Sequence, residues 1–99
     1  MNNKYEVILD TMPETENHIE ILFRQAGDGF IQVEYGHEQR VELLDSFRIL
    51  AVDSKIKKMQ IQGLIETDPS LRANLIHFDP TVISAAQLID KIKEAEDSV

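Results

Sequence analysis

Between Gly63 and Pro80 the chain reads GLIETDPSLRANLIHFDP, and this stretch constrains the fold more than any other. Two short apolar runs flank a turn signal. Leu64-Ile65 lead into Thr67-Asp68-Pro69-Ser70, and Leu71, Ala73, Leu75-Ile76 and Phe78 follow. Proline has no N–H to give to a ladder, so Pro69 is expected in the turn. Asp79-Pro80 then stops the second strand. Strand residues around a proline-centred turn predict an antiparallel hairpin.

A second hairpin precedes it. In IEILFRQ, Ile19, Ile21 and Phe23 share one face, and in FIQVEY, Ile31, Val33 and Tyr35 alternate with Gln32 and Glu34. Between them Gly27-Asp28-Gly29 supplies residues that tolerate positive φ. From His37 to about Lys58 the period becomes helical. Val41, Leu44, Phe47-Arg48 and Ala51 recur at three- to four-residue spacing, and Leu43, Leu50 and Val52 widen the stripe. Glu42, Asp45, Arg48 and Lys55 are assigned to the outer side, and Asp53-Ser54 to a bend or early end. A second helix follows Pro80. Ser84 is its expected N-cap, Gln87 completes a capping box, and Val82 or Ile83 is placed for a hydrophobic staple with Leu88. Leu88, Ile89 and Ile92 form its inner stripe. Asp90, Lys91, Lys93, Glu94 and Glu96 form the solvated side.

The order strand, strand, helix, strand, strand, helix predicts an α+β fold. It is a two-layer ββαββα unit, DCoH-like, with a four-stranded antiparallel sheet and two helices on one face. This unit is expected over residues 19–99. Residues 1–18 form an extension in which Tyr5, Val7 and Leu9 alternate with Glu6 and Asp10, while Ile8 breaks the pattern. It reads as an extra edge strand or a loosely docked arm that covers a sheet edge or mediates self-association.

Charge narrows the partners. The formal net charge is −8, divided as −5 over residues 1–36, +1 over 37–63 and −4 over 64–99. Such a surface repels phosphate backbones, so no nucleic-acid role is expected. Lys55, Lys57 and Lys58 cluster where they complement a helix C-terminus, with a partner-docking patch as the alternative. There is no run of 18 apolar residues and no secretion-signal pattern, so a cytoplasmic protein without a membrane span is expected. The absence of cysteine removes disulfides, thiolate metal sites and thiol nucleophiles.

No catalytic constellation emerges. His18, His37 and His77 lack the spacing of a helical metal site, and alternation puts His77 on the solvent face of its strand. None of the serines sits in a nucleophile elbow, and no phosphate loop or dinucleotide fingerprint is present. No catalytic residue, metal or cofactor is assigned.

The same hairpins carry a resemblance. AGDGFIQVEYG (Ala26–Gly36), a helix, and then Gly63–Pro80 are similar to the N-terminal domain of the allophanate hydrolase subunit 1 family. That family includes the kinase inhibitor KipI and the B subunit of 5-oxoprolinase. Gly27-Asp28, Val33, Tyr35-Gly36, Gly63, Glu66, Pro69, Arg72, Leu75 and Phe78-Asp79 fit its pattern. Leu71 departs from the usual aromatic, and Ala73-Asn74 from the usual Ser-Leu. The family's larger cyclophilin-like domain is not represented. Leu75–Ala95 also looks like the last strand and helix of heavy-metal-associated ferredoxin-like domains, whose CxxC this chain lacks.

The resemblance implies a non-catalytic interaction or regulatory domain. It would dock to a complementary hydrolase subunit or to a histidine kinase, or pair with itself. The alternative is a part of a multi-subunit ATP-dependent amide or lactam hydrolase, of allophanate or 5-oxoproline type, whose catalytic domains lie on other chains. Glu66 and Arg72 are the polar family-like positions expected to bind a partner. Gly63, Pro69 and Asp79 are expected to set geometry.

Overall fold

A computed structural model describes residues 7–16, 18–36 and 43–99. Its elements are β1 (Val7–Met12), β2 (Ile21–Gln25), β3 (Phe30–Tyr35), α1 (Leu43–Met59), β4 (Leu64–Pro69), β5 (Ala73–Phe78) and α2 (Ala85–Asp97). The sheet is antiparallel with strand order β1-β2-β3-β5-β4. The two expected hairpins are β2–β3 and β4–β5, and they join through β3 and β5. Both helices cover one face. Ile21, Phe23, Ile31, Val33, Tyr35, Ile76 and Phe78 of the sheet share one buried cluster with Ile49, Val52 and Ile56 of α1 and Leu88, Ile89, Ile92 and Ala95 of α2. Full burial of each large side chain contributes about 1.5–3 kcal/mol relative to exposure.

The sheet has five strands, not four. The extra one is β1, which lies in the extension and pairs with β2 at the edge. Its register shifts between Ile8 and Asp10, so Leu9 is an added bulge residue. That bulge accounts for the broken alternation at Ile8. It places Asp10 opposite Phe23, on the helix side, where its carboxylate meets Lys93 Nζ of α2 at 2.6 Å.

The second hairpin turns later than expected. Glu66, Thr67, Asp68 and Pro69 continue the strand, and Pro69 pairs with Asn74. The turn runs from Ser70 to Ala73, closed by Ser70 N–H donating to the Ala73 carbonyl at 2.8 Å. Pro69 is tolerated because β4 is an edge strand, where one row of ladder groups has no partner strand. Gly63 and Gly29 are the glycines that geometry demands. Gly63 has φ +96°, and a Cβ there would lie 2.6 Å from Ile83 Cγ2. At Gly29, φ +75°, a Cβ would lie 2.7 Å from the Phe78 carbonyl oxygen.

The first helix differs in phase from its expected stripe. Ile49, Val52 and Ile56 face the core, together with Asp53, whereas Phe47, Leu50 and Ala51 are exposed. Apolar residues lie on both sides of this helix, so it is only weakly amphipathic and its spacing fits two faces. The helix does not end at Asp53-Ser54 but runs on to Met59. The expected start at His37, with Val41 and Glu42, lies outside the described residues. The second helix begins as expected. Gln87 N–H donates to Ser84 Oγ at 3.1 Å, and Ser84 N–H donates to Gln87 Oε1 at 3.0 Å. Ile83, just before the cap, is buried in the same cluster as Leu88. Among the described residues no helix is long and apolar enough to cross a membrane.

Candidate functional site

The polar chemistry of the described fold concentrates in two buried clusters between sheet and helices. The first joins Tyr35 at the end of β3, Arg48 on α1 and Glu96 in the last turn of α2. Tyr35 Oη donates a short hydrogen bond to Glu96 Oε2. Arg48 Nε donates to Glu96 Oε1 at 3.1 Å, and its Nη2 donates to the Glu96 carbonyl at 2.8 Å. The Glu96 side chain has no exposed surface. Burial pushes its carboxyl above the ordinary value of 4.5, although Tyr35, Arg48 and the nearby His18 pull it down. Burial, together with the Glu96 charge, also raises the Tyr35 hydroxyl, so it stays protonated and remains a donor.

The second cluster joins α1 to the other hairpin. Asn74 Nδ2 donates to Asp53 Oδ1 at 2.9 Å, and Asn74 Oδ1 accepts from the Asp68 N–H at 3.1 Å. Lys57 Nζ meets Asp53 Oδ2 at 3.1 Å. Burial raises the Asp53 carboxyl, but Thr67, Asn74 and Lys57 outweigh it and hold Asp53 below its ordinary value. Thr67 acts at longer range, its hydroxyl lying outside regular hydrogen-bond geometry.

The first cluster corrects the expected outward faces, and the second puts Asp53, expected at a bend or early end, on the buried side of a helix that continues past it. Glu96 is 1% exposed rather than solvated, and Arg48 turns inward to reach it. Period alone could have located them. Glu96 stands four residues after Ile92, and Asp53 four after Ile49, on the buried stripes. The carboxylates in these clusters are saturated by donors from the fold itself. They suit fixing helices to strands better than taking a proton from a bound substrate. Among the described residues no group of three His, Asp or Glu side chains could hold a metal ion.

The face of the sheet away from the helices carries other polar groups. Arg24 Nε donates to Glu34 Oε1 at 2.8 Å, and Gln32 Nε2 donates to Glu34 Oε2 at 3.0 Å. His77 stacks on Phe30, with ring centroids 4.3 Å apart. It sits on the open face as alternation indicates, yet half-buried by that stacking. His18 Nδ1 donates to the Ile19 carbonyl at 2.7 Å, which fixes its tautomer. His37 lies outside the described residues.

Glu66 and Arg72 do not converge. Glu66 pairs with His77 across β4–β5 and is exposed on the open face. Arg72 precedes β5 in the parity of Asn74 and Ile76, on the helix side, and is half-buried. Five positions separate Arg72 from His77, roughly 16 Å along the strand. The Arg72 carbonyl accepts the Tyr35 N–H at 2.9 Å, and its Nε is buried without a hydrogen bond among the described residues. Gly63 and Asp79 are geometric as expected. The Asp79 N–H donates to the Gly63 carbonyl at 2.8 Å, and Asp79 Oδ1 accepts from Thr81 N–H and Oγ1.

Comparison with known proteins agrees with this layout. Residues 21–98 match the family model described as carboxyltransferase domain, subdomain C and D. A urea amidolyase from Lachancea kluyveri is 31% identical over 93 residues, covering 93% of this chain and 5% of that protein. The crystal structure of Kluyveromyces lactis urea carboxylase superposes with TM-score 0.86 at 31% identity, over 99% of this chain and 9% of that one. The K. lactis urea amidolyase structure gives TM-score 0.85 at 30% identity, over 93% and 6%. The chain therefore spans less than a tenth of the length of these relatives.

Proposed function

Because the chain belongs to the family of carboxyltransferase domains, subdomain C and D, we propose that it is one folded part of a larger ATP-dependent enzyme of urea-amidolyase type. It positions neighbouring domains and supplies no reacting group of its own. One observation carries this reading: nearly the whole chain corresponds to a small share of a much longer enzyme. The saturated buried carboxylates support it, since Glu96 and Asp53 are spent on holding α1 and α2 to the sheet. The substrate class is an amide or lactam, of allophanate or 5-oxoproline type. Docking to a histidine kinase draws no support from these relatives, whose names are those of enzymes. Glu66 remains available to a neighbour on the open face, whereas Arg72 serves a separate contact on the helix side.

Segment exchange tests the reading. The 93 matching residues of the L. kluyveri urea amidolyase are replaced by the corresponding residues of this chain. The exchanged enzyme is expected to fold and to release ammonia in a urea-dependent manner. A folded exchange enzyme without that activity refutes the proposal.

A further inference from the structure

The outer line of α1 is built unlike a solvated helix face. At about 100° per residue, Phe47, Ser54 and Lys58 fall opposite the buried Ile49, Val52 and Ile56, with Leu50 on the β4 side and Lys55 on the other. Phe47 is 58% exposed and Leu50 55%. Leu71, 62% exposed, continues the patch, because Ser46 Oγ donates to its carbonyl at 3.1 Å and holds the β4–β5 turn beside the helix. A large apolar residue at the outermost point of a helix cannot reach its own core, and contiguous exposed apolar residues mark a contact surface. Ser54, one turn or more beyond each anchor, is small enough to let a second helix approach.

Charge says what kind of helix. The chain is −8 overall, yet this stripe lies in its one segment of positive balance, residues 37–63 at +1. Lys57 is held by Asp53, whereas no ion pair among the described residues engages Lys55 or Lys58. A second copy would bring −8 against −8. We infer that the outer face of α1 docks an amphipathic helix of the polypeptide that completes the enzyme, with apolar side chains on Phe47 and Leu50 and carboxylates on Lys55 and Lys58. This rests on the reading of the chain as one part of a larger enzyme. Phe47 is the aromatic anchor, and the lysines set orientation and salt dependence.

The probe is a capped 18-residue synthetic helix with leucine on one face and glutamate on the other, titrated into the isotope-labelled full chain. Amide shifts are expected to move in α1 from Ser46 to Lys58 and at Leu71, with binding that weakens as salt rises. Phe47→Ser should weaken binding at least tenfold without lowering the thermal midpoint. A peptide with lysine in place of glutamate should prefer the Lys55→Glu/Lys58→Glu variant to the wild type. Shifts confined to another surface, no binding, or equal binding of both peptides overturns the inference. The segment exchange separates the two claims. An active exchange enzyme that is indifferent to Phe47→Ser sinks the surface but not the reading. Peptide docking with an inactive exchange enzyme sinks the reading alone.

Discussion

Replacing Tyr35 with phenylalanine removes one hydroxyl and nothing else from the core. Its oxygen is the donor to Glu96 Oε2, and the Glu96 side chain has no exposed surface through which water could replace it. A buried acceptor left without its donor costs about 1–3 kcal/mol, towards the upper part of that range for a charged group. Taking about 2 kcal/mol, the thermal midpoint of a domain this size should fall by about 8–16 °C. The loss should depend on pH. Glu96 sits above its ordinary 4.5 in the fold, so its contribution to stability is fully present below 4.5 and declines as pH rises through the folded value. The Tyr35 hydrogen bond pulls that value down. Removing it raises the value further and widens the gap, so the deficit of the variant grows with pH. Urea unfolding of both proteins at pH 4 and pH 8 reads this directly. An equal deficit at the two pH values, or none at either, refutes the assignment of Glu96 as a buried, ionisable partner of Tyr35.

Three further outcomes follow from the same contacts. Asn74→Ala should destabilise by about 1–3 kcal/mol, since it strips Asp53 of a buried donor. Asp53 is held below 3.8, so that deficit should shrink as pH falls through its folded value, which acid titration of both proteins checks. Ser84→Ala removes the α2 capping box and should lower stability by about 1 kcal/mol in a denaturant melt. Gly63→Ala should lower it by more than about 2 kcal/mol, because φ is +96° and the new methyl meets Ile83; a change below about 0.5 kcal/mol would contradict this geometry.

The two hairpins and the cap of α2 were legible because their signals are local. Gly27-Asp28-Gly29 can turn by itself, and Ser84 with Gln87 closes a box within one turn. The β1 strand was only half legible, since its bulge at Leu9 breaks the period that would announce it. The site is hidden in the sequence for another reason. Glu96, Arg48 and Asp53 carry charge, and charge suggests solvent, but each is buried or turned inward by a partner more than 20 residues away. Pairing across such separations leaves no trace in a local window. The periodic position of Glu96 on the stripe of Ile92 was the one clue, and it outranks the side chain's polarity. In α1 the reverse holds: Phe47 and Leu50 are apolar, which suggests an inward face, yet they are exposed while Ile49 and Ile56 hold the core.

The ion pair between Asp10 and Lys93 ties the first strand to the last helix across 83 residues of sequence. It is partly exposed and so contributes little to stability, but it clasps the edge strand: β1 is held by β2 on one side and by α2 above. An edge strand clasped from two sides is less free to peel away, or to offer its open ladder groups to a strand of another chain.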